Sequence, residues 1–128
     1  MKFSGKVLIV DDEAHVRKYI SLIVQATFKN SRVAEATNGN QALELYATDR
    51  PDLVLLDVNM PFRDGLSTLR ELRSRDPQSV IVMMTSVANR QTVVEALELG
   101  AANYIRKDTP REEVAKALEE TVADLFEP

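Results

Sequence analysis

Five short runs of β-forming apolar residues recur along the chain, separated by segments of helical periodicity, and no other feature narrows the fold as much. The runs are KVLIV (6–10), RVAEAT (32–37), DLVLLD (52–57), VIVMM (80–84) and NYIRK (103–107). Between them the apolar spacing changes. Val16, Tyr19, Ile20 and Ile23 fall on one helical stripe, and Val114, Ala117, Leu118, Val122 and Leu125 on another. Strands alternating with helices predict repeated βαβ units, and hence a parallel sheet. Three of the runs lack polar alternation, as expected of strands that helices cover on both faces. The expected fold is α/β and doubly wound: a (βα)5 chain whose five parallel strands lie in the order 2-1-3-4-5, with helices on both faces.

The punctuation agrees. Asn38–Gly39 is expected to open the second helix and Asp64–Gly65 the third, while Gly100 closes the fourth. TPRE at 109–112 reads as a helix start, with Thr109 as N-cap, Pro110 at the first helical position and Glu112 completing a capping box. No repeat, low-complexity stretch or linker interrupts the alternation, and residues 1–128 are read as one domain. The formal net charge of −4 argues against a direct grip on nucleic acid or anionic membranes. The lack of cysteine excludes disulfides and thiolate zinc sites. VLIV and LVLL are too short to span a bilayer, and MKFSGKVLIVDDE does not have the form of a signal peptide. A cytoplasmic protein is expected.

The chemistry gathers where strands end. LVLL runs directly into Asp57, and a buried carboxylate without a partner costs several kcal/mol or is neutralised by a shifted pKa. Ligands of open parallel sheets bind beyond the carboxyl ends of the strands. The first strand ends in Asp11, Asp12 and Glu13, the third in Asp57, the fourth in Thr85 and Ser86, and the fifth in Lys107. Two like charges about 4 Å apart repel by about 4 kcal/mol at an effective dielectric of about 20, so these acids need a cation if they converge. A hard divalent ion, Mg²⁺ or Mn²⁺, held by carboxylates, waters and a backbone carbonyl such as that of Asn59, meets the need. An ion with a lysine beside it is also what a transferring phosphoryl group requires. Asp57 could then act as nucleophile, with Thr85 and Lys107 on the phosphoryl oxygens and small Ser86 leaving room. Each residue alone has a plainer reading: the acids as helix caps, Asp57 as a loop carboxylate, Thr85 as a turn residue and Lys107 as a surface lysine. Their joint arrival at neighbouring strand ends favours a site. His15, the single histidine, is read as a solvated residue of the first helix.

At these residues the chain resembles the receiver domain of bacterial two-component response regulators over nearly its whole length. The resemblance rests on VDDE after the first strand, LLDVNMPFRDG around the third, MTS at the fourth and YIRK at the fifth. In length it is similar to single-domain chemotaxis-type regulators. The resemblance implies the flavodoxin-like form of the fold, and it implies roles. Asp57 is the phosphoacceptor. Asp11 and Asp12 organise Mg²⁺, Asp12 being favoured as the direct ligand, and Asn59 offers the metal its carbonyl. Thr85 and Lys107 bind phosphoryl oxygens. Tyr104 is the switch aromatic, turning inward when Thr85 moves toward the phosphate. The implied donor is a histidine kinase or a histidine phosphotransfer protein. The implied output is a downstream protein bound through the helix 4–strand 5–helix 5 face, or a homodimer formed on phosphorylation, with no direct nucleic-acid or membrane binding. Such a protein is a signalling phosphoacceptor that catalyses its own phosphotransfer and dephosphorylation, not an enzyme turning over a small molecule.

Two positions depart from the family's pattern. Proline usually follows the lysine, across a cis bond, and here Asp108 stands there. A cis bond before a non-proline residue costs about 2.5–4 kcal/mol, so either a trans bond with a shifted loop or a strained cis bond is expected. Asp108 is also placed to pull on Lys107 or Arg106 by charge. Val87 occupies a position where many relatives are polar, so with Ser86 it is expected to tune access and to leave the hydrolytic water poorly oriented, giving slow loss of phosphate. Three rivals remain weaker. A haloacid dehalogenase-type phosphatase would carry Asp-x-Asp after the first strand, where position 13 is Glu, and would need a cap domain. A flavodoxin-type cofactor binder would need a phosphate loop where DDEAH stands. A docking-only relative would usually have lost an acid, the threonine or the lysine, and all are present.

Overall fold

The computed structural model describes residues 3–86 and 89–126. Strands and helices alternate from β1 (Lys6–Val10), α1 (Ala14–Thr27), β2 (Arg32–Ala36), α2 (Gly39–Asp49) and β3 (Leu53–Leu56) to α3 (Gly65–Arg75), β4 (Ile81–Thr85), α4 (Arg90–Glu98), β5 (Asn103–Arg106) and α5 (Arg111–Phe126). All strand pairs are parallel and the sheet order is β2-β1-β3-β4-β5, as the sequence pattern predicts. Side chains alternate between the faces, and both faces are buried. Leu8, Val10, Val54, Leu56 and Met83 pack with Leu43, Leu69, Leu72 and Ala96 of α2, α3 and α4. Val7, Ile9, Leu53, Leu55 and Met84 pack with Ile20, Ile23 and Val24 of α1 and Leu118 and Val122 of α5. This two-sided burial is why the central strands show no polar positions.

Register sets up the site. Val10 lies opposite Leu56 across β1 and β3, so Asp11 and Asp57 are neighbours one residue further on. Thr85 lies opposite Arg106 across β4 and β5, which brings Lys107 beside the end of β4. Asp57 and Lys107, expected inside strands, fall just beyond them. The ladder still reaches them, for the Asp57 N–H bonds the Val10 carbonyl at 3.0 Å and the Lys107 N–H bonds that of Thr85 at 2.9 Å.

Three helices start on the side chains that suit an N-cap: Asn38 accepts from the Gln41 N–H, Asp64 from Ser67 and Asn89 from Thr92. Gly100, at φ 100°, follows α4 in the left-handed conformation that favours glycine. The start of α5 differs from expectation. The Pro110 carbonyl accepts from both Glu113 and Val114, so Pro110 holds the cap position expected of Thr109. Thr109 is instead drawn into the turn leaving β5, its N–H bonding the Arg106 carbonyl at 3.1 Å. Two residues of the expected apolar stripes are also open to solvent, Tyr19 at 42 % and Leu125 at 50 %. Leu125 is in the last turn of α5. A helix of 16 residues runs about 24 Å, against about 17 Å for a five-residue strand, so its end outreaches the sheet.

Candidate functional site

The carboxyl ends of β1, β3, β4 and β5 bring the expected acids and the lysine together. Asp11 and Asp57 are buried and Asp12 is exposed, and oxygens of the three carboxylates lie within 4.8 Å of one another. The Lys107 ammonium sits 2.5 Å from Asp11 Oδ2 and 3.2 Å from Asp57 Oδ2. Asp11 is held on every other side: its N–H bonds the Ala36 carbonyl, its Oδ1 accepts the Glu13 N–H, and its carbonyl accepts from Arg17. Asp11 Oδ2 is completely buried, and the Lys107 ammonium is the cation beside it. With all groups ionised, three carboxylates and one ammonium leave two uncompensated negative charges. A hard divalent cation fits this oxygen set.

The electrostatics express the same imbalance. Burial, with Asp11 adding to it, pushes the Asp57 carboxyl up to about 6 from an ordinary 3.8, although Lys107 and the Asn59 backbone N–H pull the other way. Burial alone would lower the Lys107 ammonium, but the hydrogen bond and charge of Asp11 and the charge of Asp57 outweigh it, and its pKa is raised. Thr85 is fully buried at the end of β4. The Tyr104 hydroxyl is hydrogen-bonded to the Thr85 side chain, and burial raises its pKa. Ser86 is exposed beside Thr85, and Val87 lies outside the described residues. His15 is exposed on α1, as expected.

The bond between Lys107 and Asp108 is trans, like every peptide bond among the described residues. Asp108 turns away from the lysine and takes Arg106 in a two-pronged pair of 3.0 and 2.9 Å. Lys107 reaches both acids without a cis bond behind it.

Two features were not foreseen. Arg17 joins the acidic turn, although a place on the flank of α1 shared with Ile20 and Val24 was a legible signal for a charged residue that must find partners. The loop after Asp57 also carries strain. Phe62 has a φ of 69°, and the Arg63 N–H bonds the Pro61 carbonyl at 2.7 Å, forming a γ-turn of the rare positive-φ kind. Holding a bulky residue there costs of order 1–3 kcal/mol. The ring is 87 % exposed, so little burial offsets that cost. Phe62→Gly is expected to raise stability by about 1 kcal/mol, because strain relief exceeds the roughly 0.5–1 kcal/mol that glycine loses in chain entropy. Urea unfolding of the two proteins measures the difference, and a lower midpoint for the variant contradicts the strain.

Comparison with known proteins gives the same picture. Residues 7–119 match the response regulator receiver domain family. The chain is 37 % identical to the chemotaxis protein CheY of Bacillus subtilis over 118 residues, covering 91 % of this chain and 97 % of CheY. It is 37 % identical to the nitrate/nitrite response regulator NarL of Escherichia coli over 117 residues, 91 % of this chain but only 54 % of NarL. Its fold superposes on the BeF3-activated N-terminal receiver domain of Klebsiella pneumoniae RstA with a TM-score of 0.84 and 32 % identity, covering 91 % of this chain and 97 % of that one. With the strand order, the acidic cluster and these matches in agreement, the chain belongs to the response regulator receiver domains of two-component signalling systems.

Proposed function

We propose that residues 1–128 act as one receiver unit that takes a phosphoryl group from a phosphohistidine onto Asp57. The observation that carries this reading is the Lys107 ammonium bridging two buried carboxylates, 2.5 Å from Asp11 and 3.2 Å from Asp57, at the open end of a parallel sheet. A carboxylate oxygen of Asp57 attacks phosphorus in line. The new O–P bond forms as the P–N bond to the donor imidazole breaks, and the imidazole leaves with its electron pair and takes up a proton. Asp11, Asp12, Asp57 and the Asn59 carbonyl would hold Mg²⁺ or Mn²⁺, and the ion, when bound, offsets the charge on the phosphoryl oxygens. Lys107 pairs with one of those oxygens, and the Thr85 hydroxyl donates to another. The Thr85–Tyr104 hydrogen bond couples that event to β5, so that phosphorylation biases the face formed by α4, β5 and α5. On α4 that face already exposes Val94 at 42 % and Leu97 at 49 %, which suits a protein target or a second copy of the chain. A histidine kinase or phosphotransfer protein supplies the phosphoryl group. Among the described residues, no helix is long and apolar enough to cross a membrane.

The test is incubation with acetyl phosphate and Mg²⁺, followed by intact mass. The wild-type chain should gain one phosphoryl group, and Asp57→Asn or an excess of chelator should abolish the gain. An undiminished gain in Asp57→Asn would move the chemistry to another residue.

A further inference from the structure

We infer that Arg17 is a positioning residue for the metal pocket, setting the peptide plane from which Asp12 projects; this rests on the metal-binding reading above. Arg17 lies in the second turn of α1 with its side chain only 14 % exposed, and a charge so placed must be paired. Its Nε donates to Glu35 Oε1 at 2.8 Å, and one terminal nitrogen donates to the Asp11 carbonyl oxygen, also at 2.8 Å. Glu35 stands on β2 directly before Ala36, whose carbonyl accepts the Asp11 N–H at 3.1 Å. Asp11 is therefore gripped from two directions, its N–H by β2 and its C=O by a guanidinium that β2 itself anchors.

The gripped carbonyl belongs to the peptide unit that ends in the Asp12 nitrogen. A peptide unit is planar, so fixing its oxygen fixes where the Asp12 Cα begins. Asp12 needs this help. Its side chain is exposed, and no hydrogen bond or ion pair holds its carboxylate among the described residues, whereas Asp11 and Asp57 are buried. The metal-facing direction of Asp12 thus comes from its backbone, and Arg17 is the side chain that holds that backbone. Groups that orient a metal ligand typically change affinity by about 10- to 100-fold when removed.

The inference has a sharp test because charge and geometry predict opposite signs. Arg17→Met removes a positive charge close to the acids, which by Coulomb attraction alone should tighten a divalent cation. Lost positioning should weaken it. Mg²⁺ is titrated calorimetrically into the metal-free wild type, Arg17→Met and Arg17→Lys, with circular dichroism to show that each is folded. We expect Kd to rise about tenfold in Arg17→Met. Arg17→Lys, which keeps the charge but loses the guanidinium's two-way grip, should weaken binding by a smaller factor of the same sign. Unchanged or tighter binding in the folded variants overturns the inference, even if their Tm falls, since that pattern belongs to a merely structural ion pair. Should Arg17→Met not fold, the lysine variant decides alone. Absence of Mg²⁺ binding in the wild type would instead overturn the metal-binding reading.

Discussion

Asp57→Asn is expected to make the metal-free protein more stable at neutral pH, by about 2–3 kcal/mol, while abolishing its phosphorylation. Substitutions of buried, ion-paired residues normally destabilise. Here the buried carboxyl is pushed up to about 6 from 3.8, so ionising it costs more in the folded chain than in the unfolded one. Every tenfold gain in proton affinity on folding corresponds to about 1.4 kcal/mol. Between about pH 4 and 6 the native state holds the Asp57 proton more tightly than the unfolded chain does, so stability falls as pH rises through that window and is level above it. Asparagine has no charge to desolvate and leaves Lys107 paired with Asp11. The gap between variant and wild type should therefore be near zero below about pH 4 and fully open above about pH 6. Urea unfolding in chelator across that range measures it. Added Mg²⁺ should narrow the gap by stabilising the wild type through mass action, with less effect on the variant. A variant less stable than wild type at neutral pH would mean that the Lys107 pair outweighs the desolvation of Asp57.

Burial raises the cost of the Asp57 charge, and that is an effect of tertiary packing, whereas the elements that carry the pocket are written in local pattern. Alternation of apolar runs and helical stripes gave the five strands, because both signals come from burial on one or two faces and are local, and the doubly wound arrangement supplied their order. The strand ends followed, and with them Asp11, Asp12, Asp57, Thr85 and Lys107. What the chain pattern did not carry was the particular side-chain pairing and backbone geometry that packing selects. The Arg17–Glu35 bond joins residues 18 positions apart. Pro110 holds the cap position expected of Thr109, while Thr109 closes the turn leaving β5. The strain at Phe62 is a backbone property that a side-chain pattern does not encode.

Asp108 shows the same limit from the other side. Charge made both Lys107 and Arg106 candidate partners, and sequence alone did not choose between them. The structure pairs Asp108 with Arg106, whose planar guanidinium takes both carboxylate oxygens at once. That leaves the Lys107 ammonium to the two buried acids, where an uncompensated charge is more costly than at the surface. Lys107 thus reaches both acids across a trans bond, with Asp108 engaged elsewhere.

The largest loss of stability, with a loss of activity beside it, is expected from Gly65→Ala. Gly65 opens α3, and its N–H bonds the Val58 carbonyl at 2.7 Å, folding the helix start back onto the end of β3. A Cβ on Gly65 would overlap the Asp57 carbonyl oxygen and lie 2.7 Å from Val58 Cα. Both neighbours are backbone and cannot rotate aside. Alanine gains at most about 1 kcal/mol of helix propensity over glycine. Overpacking costs about 1–3 kcal/mol even where side chains can give way, so a net loss of about 3 kcal/mol is expected against rigid backbone. The displaced atoms belong to Asp57, the proposed phosphoacceptor, so phosphorylation by acetyl phosphate should fall at least about tenfold in whatever fraction remains folded, as a misplacement of about 1 Å suffices for larger losses. Gly39→Ala is the matched control. Gly39 also opens a helix and is buried, but its nearest clash is with the Thr68 hydroxyl, a side-chain group that would have to give up its bond to the Asp64 carbonyl, and the Arg63 carbonyl is 3.0 Å away. That variant should lose less stability and keep its phosphorylation rate. Urea midpoints and single-turnover labelling of the two variants compare them directly. Equal losses at both positions would mean that packing against α3 in general, and not contact with the Asp57 backbone, makes Gly65 necessary.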